Sequence, residues 1–354
     1  MGRTTSGQYW ERLDHLRAIA AFMVFTWHFV HTDNVVPASA PSLLPLLEEG
    51  HMGVSLFMVL SGYLFAKIVH DQRIDFPRFV QARLLRLGPM LLIALLAAYL
   101  GQPKHWFEIP LGLVWPVWKN GCWSVAVELQ FYVLLPVLLH AFRRTPLTAL
   151  AVVAIAMSGR AALWAAHGDL HFFAFHSLLG RIDQFVFGIL AWRLVRGRAI
   201  AAPVFALGFG AFLAALYGFD LSGGENGLSD APVWIWWPTL EAMGFALLIA
   251  WYDGGTWSLP KPFAFVGKVS YSLYLLHFLF VSGLGRLAHR LLGEPNVYSM
   301  LLLAFPAFVL MLPIAWAAWR FVEMPAMRSR RPYLFAADSM VADAPGARTL
   351  DWST

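Results

Sequence analysis

The first apolar segment of the chain carries an arginine and a histidine whose spacing places them on one side of a helix. Arg17 and His28 are 11 residues apart, which in an α-helix corresponds to ~16 Å along the axis and only about 20° around it. Ionisable side chains are costly inside an apolar helix and are candidates for function by default. Histidine is the usual general base near neutral pH. The shared face therefore favours proton transfer at His28 over the alternative, a packing histidine bonded to the backbone.

A second polar face is predicted in the ninth apolar segment. Ser270, Tyr274 and His277 follow i, i+4 and i+7 spacing, so their side chains share one face of a helix. His277 lies ~16 Å from the start of its segment, a depth similar to that of His28. We therefore expect the two histidines to meet at mid-depth.

Carboxylates and further arginines occur in other apolar segments. Ser124 opens the fourth segment, and Glu128 follows one turn deeper. Arg83 and Arg86 have i, i+3 spacing and share a face near the opposite membrane surface. These two arginines either take part in function or anchor the chain at the inner surface. Together with the histidines, these groups predict a polar route through the bundle.

Other polar residues have a structural alternative. Arg181 and Asp183 lie at the outer end of the sixth segment, and Glu241 lies ~10 Å below the outer surface in the eighth. Glu241 either contributes to a site or forms a structural ion pair with Arg181 or Arg160. Ser61, which a glycine follows, is interpreted as a helix-packing residue rather than as a nucleophile.

Composition identifies the elements that must position these side chains. Of the 354 residues, 59% are apolar and 13% are charged, and the mean hydropathy is +0.60. Soluble domains are about a quarter charged, so a soluble enzyme is excluded and a polytopic membrane protein is predicted. The single cysteine, Cys122, excludes a disulfide framework, an iron–sulfur cluster and a multi-cysteine zinc site. The net charge of +5 indicates membrane topology rather than nucleic-acid binding.

The predicted fold is all-α: a polytopic transmembrane helical bundle with about ten spans and both termini cytoplasmic. A bilayer core of ~30 Å requires about 20 apolar residues per helix. With the N-terminus inside, 20 Lys and Arg residues lie in cytoplasmic segments and 4 in outer segments, as the positive-inside rule requires. Residues 1–325 form the predicted transmembrane domain, and residues 326–354 a basic and polar cytoplasmic tail expected to be disordered. The candidate spans are residues 13–31, 51–70, 83–101, 121–142, 147–165, 179–195, 200–219, 234–252, 266–288 and 298–321.

Seven sequence blocks, in order, resemble the acyltransferase-3 family of integral-membrane O-acyltransferases. The resemblance covers residues 13 to 325 and includes an Arg-x10-His motif that ends at His28. No appended SGNH-hydrolase domain, which some members carry, is recognised. The blocks are LRAIAAFMVFTWH (16–28), GVSLFMVLSGYLF (53–65), RLLRLGP (83–89), WSVAVELQFYVLLP (123–136), RIDQFVFG (181–188), SYSLYLLH (270–277) and RFVEMP (320–325).

The resemblance implies a ten-helix fold and transfer of an acyl group, most often acetyl, from cytoplasmic acyl-CoA to a hydroxyl of a cell-envelope glycan or another sugar-containing acceptor. Arginine suits the phosphates of coenzyme A because its guanidinium donates paired hydrogen bonds and stays charged. The catalytic candidates are His28, Glu128 and His277. The donor-binding candidates are Arg17, Arg83 and Arg86. The candidate substrate-binding residues are Ser124, Arg181, Asp183, Glu241 and Tyr274.

Two mechanisms and two functions stay open. His28 acts either as the base for direct attack or as a transient acyl carrier, and the oxyanion donors are Tyr274, His277 or backbone groups. The competing function is a transporter of a polar solute, which would release no coenzyme A thiol, although no inverted repeat typical of transporters is found.

The predicted partners are acyl-CoA as co-substrate, acetyl-CoA first, a glycan or other hydroxyl acceptor, and the lipid bilayer. Neither a tightly bound cofactor nor a metal is expected, because the thioester is already activated, and no nucleic acid is expected. The predicted location is the bacterial cytoplasmic (inner) membrane, and the oligomeric state is left open.

Overall fold

The computed structural model describes residues 10–31, 44–69, 72–100, 102–145, 147–228, 231–293 and 296–336. Within these ranges the chain is an all-α bundle with one short two-stranded sheet. Short helices cover Pro45–Glu48, Gly50–Met52, Pro103–His105, Glu108–Leu111, His171–His176, Gly224–Gly227, Pro232–Ile235 and Met324–Arg328. The long helices are α1 (Glu11–Val30), α2 (Gly53–Ile68), α3 (Phe76–Tyr99), α4 (Cys122–Arg144), α5 (Leu147–His167), α6 (Leu178–Val195), α7 (Ala202–Leu221), α8 (Trp237–Gly254), α9 (Lys261–Leu292) and α10 (Val297–Ala318).

Several helices begin at residues whose side chains satisfy the free backbone N–H groups of the first turn. Asp75 accepts a hydrogen bond from the backbone N–H of Arg78 at 3.1 Å, at the start of α3. Ser177 caps α6 in the same way, and Asn296 and Ser299 form a capping box at α10. Such caps each stabilise a helix by about 1 kcal/mol. The starts of these three helices are thus encoded locally in the sequence.

Each of the ten predicted intervals overlaps one long helix. Seven of the helices described are long and apolar enough to cross a membrane by length and composition: α2, α3, α4, α5, α7, α9 and the continuous helical run Val297–Arg328. The other three are α1, α6 and α8. Of these, α1 carries Glu11, Arg12, Asp14 and Arg17 in its first two turns. The predicted all-α membrane bundle is confirmed, whereas the count of ten spans and the sides of the termini stay predictions.

Two helix pairs form the centre of the bundle: α1 packs along α9, and α2 packs along α6. The α2–α6 contact is close because a side chain at Gly62 would collide with the backbone carbonyl of Phe185, and one at Gly188 with that of Val59. Small residues allow helix backbones to approach in this way. The glycine after Ser61 therefore serves helix packing, as predicted.

The outer surface of the bundle is strongly apolar. Leu207 on α7 and Leu302 on α10 are 78% and 75% exposed. An aqueous surface would not favour such a density of exposed large apolar side chains, whereas lipid tails match them. The polar groups of the sequence instead face inward, where they require protein partners.

The predicted start of the disordered tail is wrong. Residues 326–336 continue the helical run as Met324–Arg328 and then form strand β2 (Leu334–Ala336), which pairs antiparallel with β1 (Gln72–Ile74). Tyr333 is 2% exposed and packs its ring against Phe79 on α3 at 5.4 Å. Burial of this aromatic residue and strand pairing together hold the segment on the bundle. Residues 337–354 lie outside the described residues.

Candidate active site

A polar cavity of ≈ 160 Å³ lies between α1, α2, α3, α4 and α9 and extends to the segment after α10. Six of the eleven predicted site residues line it, although they come from four separate helices. The polar lining consists of Arg17, Ser61, Arg83, Arg86, Ser124, Glu128, Tyr132, Ser270, Tyr271, Tyr274, Arg330 and Tyr333. Helix packing thus brings the predicted arginines, Glu128, Ser124 and Tyr274 to one cavity.

One end of the cavity is rich in arginine. Arg17 projects from α1 and pairs with Asp14 one turn earlier, with 2.8 Å between Nη1 and Oδ1. Arg83 and Arg86 enter from α3 as predicted, and Arg330 enters from the segment after α10. Burial, followed by the charges of Arg86 and Arg83, lowers the pKa of Arg330 to about 10. The guanidinium groups of Arg83 and Arg86 are therefore close enough to repel that of Arg330, an arrangement that an anion would stabilise.

Arg83 is enclosed by aromatic rings. Its guanidinium carbon lies 5.2–5.6 Å from the ring centroids of Phe65, Phe79 and Tyr333. One nitrogen, Nη2, donates a hydrogen bond to the Tyr333 hydroxyl at 3.1 Å. Rings hold the guanidinium by cation–π attraction, which fixes its direction. Arg83 thus has a role in packing as well as a position on the cavity.

Glu128 lies deeper in the cavity and accepts hydrogen bonds from two hydroxyl groups. Ser61 on α2 donates to Glu128 Oε1 at 2.9 Å, and Tyr132, one turn along α4, donates to the same oxygen. Two hydroxyl donors on one carboxylate oxygen fix the direction of the side chain. Glu128 is therefore held as an oriented acceptor in the cavity wall.

Ser124 and Tyr274 meet at a turn of unusual conformation. The two hydroxyl oxygens are 2.8 Å apart, and each can donate to the carbonyl of Gly121, at 2.9 and 3.1 Å. Gly121 precedes α4 with φ +71°, and a Cβ there would lie 2.5 Å from the Phe278 ring. Only glycine adopts this left-handed conformation without strain. The turn therefore fixes the carbonyl around which both hydroxyls gather.

His28 and His277 meet as predicted. His277 Nε2 lies 3.4 Å from His28 Nδ1, and the ring centroids are 5.0 Å apart. The exposed fraction of His277 is 1%, whereas His28 is half-buried. The pairing follows from the packing of α1 along α9, which brings the two residues to the same depth.

The backbone selects a tautomer for each histidine. His277 Nδ1 lies 2.6 Å from the carbonyl of Tyr274, and His28 Nδ1 lies 2.8 Å from the carbonyl of Val24. Carbonyl oxygens only accept, so each Nδ1 carries the proton in the neutral ring. The lone pair of neutral His28 then lies on Nε2, and that of His277 faces the His28 Nδ1–H. This arrangement leaves a basic nitrogen on His28 and a second ring that can stabilise positive charge on it.

The histidine pair stands beside the cavity rather than in its wall. The link is Tyr274, whose hydroxyl lines the cavity and whose carbonyl accepts from His277. The cavity and the histidine pair are thus joined by one turn of α9. Along α1, Arg17 and His28 are separated by the ~16 Å that the helical rise gives for 11 residues.

Three predicted substrate-binding residues lie elsewhere. Arg181, Asp183 and Glu241 are at most 2% exposed, and none of them lines the cavity. Arg160 pairs with Asp183 at 2.8 Å, and Arg181 lies 3.9 Å from Glu241, with Ser55 bonded to both. Their geometry favours the structural ion-pair alternative. A role of these residues in substrate binding stays a prediction.

The sequence reasoning missed several lining residues. Tyr132 and Ser61 both lie within recognised blocks. The spacing of Tyr132 from Glu128, one turn away on the same helix, could have indicated that Tyr132 lines the site. Arg330 and Tyr333 were assigned to a disordered tail, and no local pattern signals that this tail folds back. Only the β1–β2 pairing brings them to the cavity.

Comparison with known proteins shows the family to which the chain belongs. The family described as acyltransferase domain, acyltransferase-3, matches residues 10–320. The chain belongs to the acyltransferase-3 family. The resemblance drawn from the seven sequence blocks is thereby confirmed, and family membership supports the prediction of an acyltransferase enzyme.

Two relatives in this family illustrate its range. The chain is 28% identical to the protein named membrane-bound transacylase BcsY of Komagataeibacter xylinus, over 65% of this chain and 66% of that protein. It is 25% identical to O-acetyltransferase OatA of Staphylococcus aureus strain NCTC 8325, over 90% of this chain and 57% of that protein. The chain thus spans less than two thirds of the length of either relative. No solved structure matches the chain.

Proposed function

We propose that this protein is an integral-membrane O-acyltransferase that moves an acyl group, acetyl in the first instance, from acyl-CoA to a hydroxyl of a glycan or other sugar-containing acceptor. The observation that carries the proposal is the arginine-rich cavity together with the histidine pair that stands beside it, joined to it through Tyr274. Family membership supports the reaction class. The names of the relatives, a transacylase and an O-acetyltransferase, support acetyl as the first group to test.

The arginine end of the cavity suits the donor. Coenzyme A carries several phosphate charges, and Arg17, Arg83, Arg86 and Arg330 present guanidinium groups to one cavity. Paired hydrogen bonds from guanidinium to phosphate are strong and directional. The donor would bind with its phosphates at this end and its thioester toward Tyr274 and the histidines.

His28 suits the role of base. Its Nε2 lone pair would accept the proton of the acceptor hydroxyl while that oxygen attacks the thioester carbonyl carbon. Positive charge then develops on the ring, and the His277 Nε2 lone pair lies 3.4 Å from the His28 Nδ1 that carries the other proton. His277 is therefore a positioning residue, which orients His28 and stabilises its protonated form.

Tyr274 ranks ahead of His277 as the donor to the oxyanion. The Nδ1–H of His277 is committed to the carbonyl of Tyr274, and its Nε2 is an acceptor in the neutral ring. The Tyr274 hydroxyl lines the cavity and carries a hydrogen that it shares with Gly121 and Ser124. When the Tyr274 hydroxyl turns toward the substrate, its hydrogen can stabilise the negative oxygen of a tetrahedral intermediate.

Two balanced sequences of steps fit these roles. In direct transfer, the acceptor oxygen bonds to the carbonyl carbon, the carbon–sulfur bond breaks, and the coenzyme A thiolate takes the proton from His28. In the covalent alternative, His28 Nε2 bonds to the carbonyl carbon first and expels the thiolate, and the acceptor oxygen then displaces the imidazole while the hydroxyl proton passes to the thiolate. Trapping with labelled acyl-CoA in the absence of acceptor separates them, because only the second leaves label on the protein.

The remaining parts of the proposal concern the surroundings. We place the protein in a bacterial cytoplasmic membrane with both termini inside, on the strength of the Lys and Arg distribution. The donor then comes from the cytoplasm, and a glycan acceptor would be reached from the far side. The histidine pair at mid-depth of the bundle suits transfer of the acyl group from a donor on the cytoplasmic side to an acceptor on the far side.

A reconstituted assay tests the proposal. Purified protein in lipid vesicles is given acetyl-CoA and a cell-envelope glycan fraction, and two products are followed: free thiol, and the mass gain of one acetyl group on the glycan. We expect both products to appear together and both to depend on His28. Solute uptake into the vesicles without thiol release would instead identify a transporter and refute the proposal.

A further inference from the structure

A second polar cluster lies at the end of the bundle where α1 ends and α2 begins. Glu49 and His51 precede α2, and Glu225 belongs to the short helix Gly224–Gly227 between α7 and α8. All three residues are buried; the side chains of Glu49, His51 and Glu225 are 7%, 2% and 9% exposed. None of them lines the active-site cavity.

The atoms of this cluster face one another without completing hydrogen bonds. His51 Nδ1 lies 3.0 Å from Glu225 Oε2 and 3.4 Å from Glu49 Oε2. Even so, neither His51 nitrogen nor Glu225 Oε2 has a hydrogen-bond partner of acceptable geometry among the described residues. Buried polar atoms are normally satisfied. Three side chains therefore converge on a common point, with one ligand atom from each within 4.8 Å of the others.

We propose that Glu49, His51 and Glu225 bind a divalent transition-metal ion, with Zn²⁺ as the best match. Zn²⁺ accepts nitrogen and oxygen ligands at ~2.0–2.2 Å, which places tetrahedral ligand atoms about 3.3–3.6 Å apart. The two measured separations are close to that range. A histidine ligand disfavours Ca²⁺ and Mg²⁺, which prefer oxygen. Three protein ligands leave the fourth position to water.

Surrounding groups orient the ligands. His171 Nε2 lies 3.2 Å from Glu225 Oε1, the oxygen that does not face His51. The backbone N–H of Glu225 donates to Glu49 Oε2 at 3.3 Å. Gly224, with φ +59°, packs against the Glu49 carboxylate so closely that a Cβ there would collide with it. Outer partners of this kind are the usual support of a metal-binding carboxylate.

The charge balance of the cluster also favours a cation. The cluster brings two buried carboxylates, those of Glu49 and Glu225, to the same His51 nitrogen. Arg181 is bonded to Ser55, lies 3.9 Å from Glu241, and stacks over the Phe175 ring at 4.1 Å. A divalent ion between the Glu49 and Glu225 carboxylates would supply positive charge to both of them.

The role of the ion would be structural. It would join the segment before α2 to the connection between α7 and α8, which are far apart in sequence. His51 also packs 6.0 Å from the Trp27 ring, which in turn lies 4.8 Å from the His28 ring. The sequence predicts no metal for the acyl-transfer step, because the thioester is already activated. The ion proposed here takes no part in that step.

Metal content and binding test this proposal without an activity assay. Full-length protein is purified in detergent through a tag that contains no polyhistidine, and metal is measured by mass spectrometry before and after stripping with a chelator. Zn²⁺ is then titrated back against a competing chromophoric chelator, and thermal unfolding is followed by tryptophan fluorescence. We expect about one ion per chain and a higher melting temperature of the Zn²⁺-loaded protein than of the stripped protein.

Variants locate the site. Glu49→Gln, His51→Gln and Glu225→Gln should each weaken Zn²⁺ binding at least tenfold, and His171→Phe by about 10–100-fold through the outer shell. The matched control is Glu108→Gln, which alters another carboxylate bonded to a histidine, His105, in the loop before α4; it should bind Zn²⁺ like the unmodified protein. The proposal is overturned if the stripped wild-type protein gains neither stoichiometric Zn²⁺ nor thermal stability, or if the control loses Zn²⁺ as readily as the cluster variants. The wild-type measurement decides the question even where a variant does not fold.

Discussion

Replacing His28 by glutamine is expected to abolish acyl transfer while leaving the fold intact. In the structure His28 donates a hydrogen bond from Nδ1 to the backbone carbonyl of Val24 at 2.8 Å and packs its ring beside Phe278 and His277. Loss of such a bond typically costs about 0.5–1.5 kcal/mol of stability. Glutamine retains a polar group of similar length, so the stability loss should lie at or below this range.

The expected loss of activity is much larger. Removing a general base typically reduces the rate by 10²–10⁴-fold, which corresponds to about 2.7–5.4 kcal/mol of transition-state stabilisation. Glutamine cannot accept the hydroxyl proton, and its amide is a poor nucleophile, so both mechanisms for His28 predict the same loss. A folding defect of at most about 1.5 kcal/mol would not produce it in a correctly inserted protein.

The chain supplies a matched control on the same helix. His31 lies three residues further along and makes the same kind of bond, from Nδ1 to the carbonyl of Trp27 at 2.9 Å. The structure places His277 against His28, whereas the His31 ring stacks on Trp27 at 5.0 Å. His31→Gln should therefore destabilise the protein by a similar amount and leave most of the acyl transfer.

Thiol release from acetyl-CoA in vesicles, normalised to correctly inserted protein, measures both variants. Retention of more than about a tenth of the wild-type rate in His28→Gln would refute the reasoning. The rate would then have fallen by less than about tenfold, which is smaller than the smallest loss expected on removal of a general base. Equal losses in His28→Gln and His31→Gln would refute it as well, because the effect would then belong to the helix end rather than to the base.

Four further predictions concern the donor end, the second histidine, the turn before α4 and topology. Arg86→Ala should raise the KM for acyl-CoA by about 10–150-fold, the equivalent of a lost charged hydrogen bond of ~1.5–3 kcal/mol; Lys should rescue it only partly, and Arg78→Ala, an exposed arginine on the same helix, should leave the KM unchanged. His277→Phe should lower kcat by about 10–150-fold, as Arg86→Ala raises the KM, and should shift the pH profile of kcat. An unchanged pH profile would make His277 a packing residue only. Gly121→Ala should destabilise the protein by at least ~1–2 kcal/mol in unfolding assays because of its positive φ, whereas Gly283→Ala, which meets nothing within 4 Å in mid-helix, should not. If the C-terminus is cytoplasmic, a reporter fused after residue 325 should report a cytoplasmic location. Activity of a reporter that works only in the periplasm would overturn the predicted topology.

Much of the fold could be predicted because helix formation in a membrane depends on local properties. Length and apolar composition mark a span, and caps such as Asp75 and the Asn296–Ser299 box fix where helices begin. The meeting of His28 and His277 was predictable for a related reason, since depth in a helix follows from residue number. By contrast, α1 is not among the seven helices that are apolar enough to cross a membrane by composition, and its first two turns carry four charged residues, of which Arg17 lines the cavity.

The sequence by itself determined that this is an all-α membrane protein and which family it resembles, and it predicted that the chemistry depends on Arg17, Arg83, Arg86, Glu128 and the histidines. These properties reside in residue type, spacing and composition. Only the tertiary structure decided how the pieces combine. It joined Ser61 and Tyr132 to Glu128, and it assigned Arg181, Asp183 and Glu241 to a buried ion-pair network.

The tertiary structure also folded the segment after α10 back onto α3, which brings Arg330 and Tyr333 to the cavity, and it assembled Glu49, His51 and Glu225 from connections far apart in sequence. The physical reason is that periodicity gives the depth and face of a residue on its own helix. The identity of the facing neighbour depends on helix packing and loop paths, which arise from many weak contacts at once.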